Sequence, residues 1–188
     1  MVKTAVFVSG GGTNLQAILD AQGSVIRSAE VSLVISSRPD AYALRRAEKY
    51  GVPTLVLREE VEIEKALEEH GIQLIVLAGY MRILSAEFTA RWDRRILNVH
   101  PSLIPSFCGK GMYGLHVHEA ALAKGVKVTG ATVHFVNEVP DGGEIVYQKA
   151  VEVLPEDTPE TLQRRVMEEA EWILLPRAIE KVAKEMEQ

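Results

Sequence analysis

The chain has 188 residues, of which 47% are hydrophobic and 25% charged, and its formal net charge is −5 at pH 7. This length suits one large domain, and the acidic balance disfavours a nucleic-acid partner, which requires a basic patch. A single cysteine, Cys108, excludes an intramolecular disulfide and a multi-cysteine zinc site.

Apolar runs alternate with helical patterns in the first half of the chain. Strands are predicted at residues 5–8, 31–35, 53–57, 74–78 and 96–99, and helices at 14–21, 40–50, 59–70 and 85–91, the last N-capped by Ser85. Because this alternation is typical of βαβ units, we expect a parallel sheet buried on both faces. The first apolar run is too short for a signal peptide or a membrane span, so we expect a cytoplasmic protein with no membrane partner.

The second half of the chain has a different pattern. A long ordered loop is predicted at residues 105–115, a helix at 116–124, two antiparallel strands at 126–136 and 144–153, and a final helix from Thr158 towards Lys184. We therefore predict one α/β domain over residues 1–188. Its sheet is expected to be Rossmann-like and mostly parallel, flanked by helices, with antiparallel strands in the C-terminal half.

A glycine-rich segment, Ser-Gly-Gly-Gly-Thr-Asn at residues 9–14, joins the first predicted strand to the first predicted helix. Glycines let the backbone approach a ligand closely, and a helix N-terminus offers unpaired N–H groups and the positive end of its dipole. We predict a phosphate or another anion at Gly11, Gly12, Thr13 and Asn14; the alternative is a plain tight turn. No Lys-Ser/Thr pair follows, so the segment is not a Walker A motif.

The segment at residues 78–85 follows the fourth predicted strand, where ligands bind in open α/β sheets. Its apolar tip can line a pocket for a flat heterocycle, and its backbone can read the edge of such a ring. An ordinary packed βα loop is the alternative.

Asn98 and His100 end the fifth predicted strand, and residues at i and i+2 of a strand project to the same side. The amide can donate to a developing oxyanion and the imidazole can move a proton, as acyl-type transfer requires. Asp141 is the acid expected to join them, although a turn alone also explains an aspartate there. In the alternative, Asn98 and His100 satisfy buried backbone groups.

The other histidines and the cysteine carry weaker signals. His70 is predicted to be solvated, and His116 and His118 flank the start of a helix, where one of them can approach the site. His134 is interpreted as a core or sheet residue, and Cys108, which has no identified base, as incidental. No glutamate or cysteine completes a recognised metal-ligand spacing with His116, His118 or His134, so we predict no metal site.

Four segments together resemble the folate-dependent formyltransferases. They are Ser-Gly-Gly-Gly-Thr-Asn-Leu-Gln-Ala-Ile at residues 9–18, Ala-Gly-Tyr-Met-Arg-Ile-Leu-Ser at 78–85, Asn-Val-His-Pro-Ser-Leu-Ile-Pro at 98–105, and Gly-Ala-Thr-Val-His-Phe-Val at 130–136 with Asp-Gly-Gly at 141–143. The resemblance implies transfer of the formyl group of 10-formyltetrahydrofolate to the amine of glycinamide ribonucleotide in purine biosynthesis. It also implies small-molecule partners, no metal requirement, and a monomer or homodimer.

The resemblance assigns roles to particular residues. The catalytic residues would be Asn98, His100 and Asp141, and the ribose phosphate would lie against Gly11, Gly12, Thr13 and Asn14. The folate would lie against Met81, Arg82, Ile83, Leu84, Asn98, Asn137, Glu138, Val139, Pro140 and Asp141. Residues 1–100 would then form a phosphate-binding βα half, and residues 101–188 a folate and catalytic half with the C-terminal helix.

The implied reaction begins when the glycinamide amine attacks the formyl carbon of the folate. Asn98 and protonated His100 would stabilise the resulting oxyanion, and Asp141 would hold His100 and favour its charged form. His100 or an ordered water would carry the proton to the folate nitrogen.

The chain departs from the family pattern in three places. The loop at residues 106–114 is longer than in many relatives, which makes Lys110 a candidate phosphate contact. Arg58 is a candidate for an arginine that some relatives supply before the third helix. A substrate-binding glutamate is expected before Pro176: counting back gives Glu171, whereas counting forward from the start of the helix points one to two residues earlier. The helix is therefore expected to carry an extra residue.

Three alternatives remain for the function. A formyltetrahydrofolate hydrolase usually carries an extra N-terminal regulatory domain. A methionyl-tRNA formyltransferase has a C-terminal domain and needs a basic surface. The hydrolase and the tRNA formyltransferase therefore both fit this acidic 188-residue chain less well. A non-catalytic phosphate-binding module would need only the glycine-rich turn and not the Asn98, His100 and Asp141 set.

Overall fold

The computed structural model describes residues 1–188. The strands are β1 (Val2–Val8), β2 (Ala29–Ser36), β3 (Thr54–Val56), β4 (Leu74–Leu77), β5 (Ile96–His100), β6 (Val128–Phe135) and β7 (Ile145–Glu152). The helices are α1 (Thr13–Asp20), α2 (Tyr42–Lys49), α3 (Glu60–Glu69), α4 (Ala86–Arg91), α5 (Leu115–Lys124), α6 (Pro159–Val166) and α7 (Trp172–Met186), with a π-helical segment, Met167–Glu171, between the last two. No helix is both long enough and apolar enough to cross a membrane.

All seven strands form one sheet in the order β3-β2-β1-β4-β5-β6-β7. Strands β1 to β5 are parallel, whereas β6 is antiparallel to β5 and β7 is antiparallel to β6. The predicted α/β fold with antiparallel strands in the C-terminal half is therefore confirmed. After β1 the chain adds β2 and β3 on one side of that strand, and it then adds β4 to β7 on the other side. The loops after β1 and β4 therefore lead in opposite directions and leave a crevice at the carboxyl edge of the sheet.

Both faces of the sheet are buried because alternate residues of each strand enter different apolar cores. In β1, Val6 and Val8 pack into the larger core with α1 and α7, whereas Ala5 and Phe7 pack into the smaller one with α3 and α4. These four side chains are fully buried. This packing produces the continuous apolar runs of the first half, and it holds the carboxyl ends of the central strands at fixed positions.

The C-terminal helical region differs from the single continuous helix that the sequence predicts. Thr158 does cap its start, with a side chain that accepts a hydrogen bond from the Thr161 N–H. The five-residue π-helical segment then interrupts the α-helical ladder. Its i→i+5 hydrogen bonds accommodate one additional residue, and this accounts for the extra residue indicated by the sequence. Pro176 lies one turn further on, where it removes a helical N–H donor.

Candidate active site

A cleft of about 830 Å³ lies at the carboxyl edge of the sheet, beyond β4 and β5. Its walls are Asn14, the loop at residues 79–83 and the end of β5 at 98–101, with the segment 109–114, His118, Pro140, Asp141, Gln163, Met167 and Glu171. Both halves of the chain therefore contribute to one cavity.

Asn98, His100 and Asp141 come together in this cleft. The carboxylate of Asp141 lies between two imidazoles: its Oδ2 is 3.6 Å from His100 Nδ1 and its Oδ1 is 3.5 Å from His134 Nε2. The Nδ2 of Asn98 lies 3.2 Å from His134 Nε2. The side chains of Asn98, His100, Asp141 and His134 thus form one cluster. Asn98 is linked to Asp141 by way of His134, which contacts both.

The pairing of β5 with β6 produces this arrangement. Asn98 lies opposite His134 in the antiparallel register, so the two side chains share a face of the sheet. Asp141 reaches the cluster from the turn between β6 and β7, where its φ of 55° is left-handed. A side chain at Gly143 would lie 1.7 Å from the carbonyl oxygen of Phe135, so only glycine lets this turn close against the end of β6.

The groups around Asp141 favour its charged form, although the side chain is largely buried. Burial alone would raise the pKa of its carboxyl group, but the close contact with His134, the N–H of Gly109 and the charge of nearby imidazoles outweigh burial and hold the pKa below its usual range. The Gly109 N–H donates to Asp141 Oδ2 at 2.8 Å. A charged acid facing two imidazoles is suited to orienting them and stabilising positive charge on them.

The interpretation of His134 as an ordinary core or sheet residue is incomplete. Its ring is buried in β6, and Nδ1 lies 2.7 Å from the Phe135 carbonyl oxygen, which requires a hydrogen on Nδ1. In the neutral ring Nε2 is then an acceptor, and it can accept from Asn98. A lone histidine in a strand carries no signal for this role; only the register that places Asn98 opposite His134 shows it.

Gly12 shapes the glycine-rich turn. It has a φ of 73° and precedes α1, and a Cβ there would lie 2.6 Å from that of Ala43. Gly11 leaves open space around its own Cβ position, and its carbonyl accepts from Arg46 Nε at 2.8 Å. Of the four residues predicted to bind phosphate, Asn14 lines the cleft, and the others lie beside it on the turn.

Asn14 and Glu171 join the glycine-rich turn to the C-terminal helical region. Asn14 Nδ2 donates to Glu171 Oε2 at 2.8 Å, and the π-helical segment ends at Glu171. Burial raises the pKa of Glu171 to about 7, although the Asn14 hydrogen bond favours the carboxylate. Glu171 is thus a buried carboxyl group at the cleft wall whose charge changes near neutral pH.

We expect Glu171→Gln to be more stable than the unchanged chain at pH 8 but not at pH 5. The folded carboxyl group ionises only near pH 7 whereas the unfolded one ionises near pH 4.5, so its ionisation lowers the free energy of unfolding between those values. Glutamine has no such penalty, and the advantage at pH 8 should be roughly 1–3 kcal/mol. Urea unfolding of both proteins at pH 5 and pH 8 measures it; an equal difference at the two pH values would contradict the expectation.

The predicted folate residues lie in three places. Met81 and Ile83 line the cleft and are 58% and 88% exposed, so the loop after β4 presents apolar side chains to it, and Arg82, Asn98, Pro140 and Asp141 line it too. Leu84 instead packs in the smaller apolar core. Asn137, Glu138 and Val139 form the adjoining turn, where the Val139 N–H donates to Asn137 Oδ1 at 3.0 Å, and they lie outside the cleft wall.

Of the candidates with weaker signals, some line the cleft and others do not. Lys110 lines the cleft, whereas Arg58 donates from Nε to the Ser37 carbonyl oxygen at 2.9 Å and does not. His118 lines the cleft; burial and the nearby charge of His100 lower its pKa to about 4. His116 is exposed and pairs with a glutamate of its own helix. No group of three or more His, Cys, Asp or Glu side chains is arranged to hold a metal ion.

Comparisons with known proteins extend over almost the whole chain. A family model described as formyl transferase matches residues 2–179. The chain is 43% identical over 188 residues to the phosphoribosylglycinamide formyltransferase of Haemophilus influenzae, which covers 95% of the chain and 86% of that protein. It is 45% identical over 191 residues to the trifunctional purine biosynthetic protein adenosine-3 of Gallus gallus; here 97% of the chain matches, but this is 18% of that protein.

A solved structure shows the same fold. The crystal structure of phosphoribosylglycinamide formyltransferase from Anaplasma phagocytophilum superimposes with a TM-score of 0.90 and 38% identity, over 97% of this chain and 87% of that one. The cleft-lining residues, from Asn14 to Glu171, all lie within the residues 2–179 that the family model matches.

Proposed function

The chain belongs to the formyl transferase family, and we propose that it transfers the formyl group of 10-formyltetrahydrofolate to the amine of N1-(5-phospho-D-ribosyl)glycinamide. The products are the N2-formyl ribonucleotide and tetrahydrofolate, as de novo purine biosynthesis requires. The observation that carries this proposal is the cluster of Asn98, His100 and Asp141, which lies between two chemically different ends of one cleft.

Each end of the cleft suits one substrate. At one end, Asn14 and Glu171 lie beside the glycine-rich turn, whose backbone N–H groups and helix N-terminus favour a phosphate. At the other end, exposed apolar side chains of Met81 and Ile83 offer a surface for the pterin ring. The ribonucleotide amine and the folate formyl group would meet between them, beside Asn98.

In the proposed reaction the amine nitrogen attacks the formyl carbon, and the formyl oxygen becomes negative. Asn98 has two amide hydrogens: one is directed at His134, and the other remains for this oxyanion. His100, beside Asp141, would provide positive charge next to the same oxygen. Collapse of the intermediate breaks the bond from the formyl carbon to N10 of the folate. N10 then gains the proton that the amine loses, so the scheme uses no metal.

The test is to follow tetrahydrofolate formation spectroscopically with the ribonucleotide present and absent. We expect turnover only when the ribonucleotide is present, together with formation of the formylated ribonucleotide. Equal turnover in its absence would refute the transferase and identify a hydrolase of the formyl folate. Binding of the ribonucleotide without turnover in the presence of formyl folate would favour a phosphate-binding module.

A further inference from the structure

A short loop segment, residues 106–109, contacts both members of the His100 and Asp141 pair through its backbone. The carbonyl oxygen of Phe107 lies 2.8 Å from His100 Nε2. Two residues later, the N–H of Gly109 donates to Asp141 Oδ2 at 2.8 Å, the same oxygen that faces His100 Nδ1. One carbonyl and one N–H, two residues apart in this loop, therefore contact His100 and Asp141 respectively.

The conformation of the segment is uncommon and is held from several sides. Phe107 has a φ of 49° although it is not glycine, and Gly109 has a φ of 88°. The Phe107 side chain packs against the larger apolar core, and Ser102 Oγ donates to the Ser106 carbonyl oxygen at 2.6 Å. A non-glycine residue in the left-handed region persists where its surroundings impose it, and such residues cluster at functional sites.

The two backbone contacts have direct chemical consequences. A carbonyl oxygen only accepts hydrogen bonds, so the Phe107 contact requires a hydrogen on His100 Nε2 and leaves Nδ1 facing Asp141. Each nitrogen of His100 then faces an acceptor. The charged ring can donate to both, and in the neutral ring the shorter contact, at Nε2, favours the hydrogen there. The Gly109 N–H is the one backbone donor that holds the carboxylate of Asp141 in its charged form.

We propose that residues 106–109 are a positioning element that fixes the tautomer of His100 and aims Asp141 at its Nδ1. The inference rests on the proposed function, and it assigns a role to the segment in which the chain departs from the family pattern. The element acts on the reaction through His100 and Asp141 and does not itself contact the formyl group.

The other charged and titratable groups around the pair are few. Asp141 faces His100, His134 and the thiol of Cys108, whose pKa is raised by burial and by the Asp141 charge. His100 faces Asp141 and His118. Because the Gly109 N–H is independent of all these side chains, its removal changes Asp141 without altering any of them chemically.

The first test is an NMR measurement that needs no substrate. In protein labelled with ¹⁵N histidine, the nitrogen shifts of neutral His100 should show the hydrogen on Nε2. An Nδ1–H tautomer would overturn the proposal. Since the measurement is made without substrate, its result stands even if the protein proves not to transfer formyl groups to the ribonucleotide.

The second test compares two amide-to-ester replacements in the same loop. Glycolic acid in place of Gly109 exchanges the N–H that contacts Asp141 for an ester oxygen, whereas glycolic acid in place of Gly111 removes an N–H that donates to no protein acceptor. The two glycines have similar φ angles, 88° and 84°, which proline could not adopt but which an ester without a side chain can keep. They are therefore a matched pair for the general effect of an ester on this loop.

We expect the ester at position 109 to move the acidic limb of the kcat/KM profile to higher pH by about one pH unit, because Asp141 loses a donor to its charged form. At neutral pH, kcat/KM should fall by about 10- to 100-fold. The ester at position 111 should leave the acidic limb in place, whatever it does to KM. A loss of activity with the ester at position 109 but no shift of the limb, or an equal shift in both variants, would overturn the proposal.

Discussion

His100→Ala should lower kcat by about 10²- to 10⁴-fold, the range over which a positioned acid or base contributes to catalysis. The side chain of His100 is 5% exposed and lies between Asp141 and the Phe107 carbonyl, and alanine removes the imidazole that contacts both. The fold should persist, because Asp141 keeps its contacts with His134 and Gly109. We expect the main loss in kcat, with a smaller change in KM for either substrate.

Steady-state kinetics with each substrate varied in turn, together with a thermal unfolding curve, measures this effect. His70→Ala is a suitable control, because that imidazole contacts its own helix at the Ala66 carbonyl oxygen and lies outside the cleft wall. That control should retain full turnover. Turnover of His100→Ala within a few-fold of the unchanged enzyme would remove His100 from the catalytic residues.

Asp141→Asn should have an effect of similar size, about 10²- to 10⁴-fold on kcat. Asparagine is among the few residues that tolerate a left-handed backbone, so the φ of 55° and the turn should survive. The Gly109 N–H can still donate to the side-chain oxygen, whereas the negative charge between the two imidazoles is lost. Asp141→Ala would confound this result, since alanine is strained at that φ.

The double variant His100→Ala with Asp141→Asn distinguishes a working pair from two independent residues. Residues that act as a unit give non-additive losses, so the double variant should be only slightly slower than the slower single variant. Multiplication of the two single losses would show that Asp141 acts on the reaction without His100. A normal kcat for Asp141→Asn would refute its catalytic role altogether.

The strands that the sequence predicts best are those whose burial leaves the clearest pattern. The central strands β4 and β5 lie within a residue of their predicted ranges, because both faces are apolar and turn residues bound each run. Helix starts at Ser85 and Thr158 follow from their capping side chains. The order of the strands is not encoded in these local patterns, and it comes from tertiary packing.

Site residues that are close together in the sequence could be predicted, whereas those brought together by the pairing of strands could not. Asn98 and His100 are two residues apart, so their shared direction follows from strand geometry. Asp141 is drawn in by the turn between β6 and β7, and His134 by the register of β5 with β6. Glu171 could be assigned only by counting, because the π-helical segment changes the phase of the helix immediately before it.

Because of that change of phase, the C-terminal region depends on how many residues separate its core positions, and not only on which residues they are. Leu162 and Val166 before the π-helical segment, and Leu174 and Leu175 after it, all reach the larger apolar core, while Glu171 reaches the cleft. If one residue between them were deleted, a regular helix would rotate everything downstream by about 100°. The chain would then have to give up either its core contacts or Glu171. Insertions and deletions here should therefore be far less tolerated than substitutions, and sequence alignments that slide by one position will misassign Glu171.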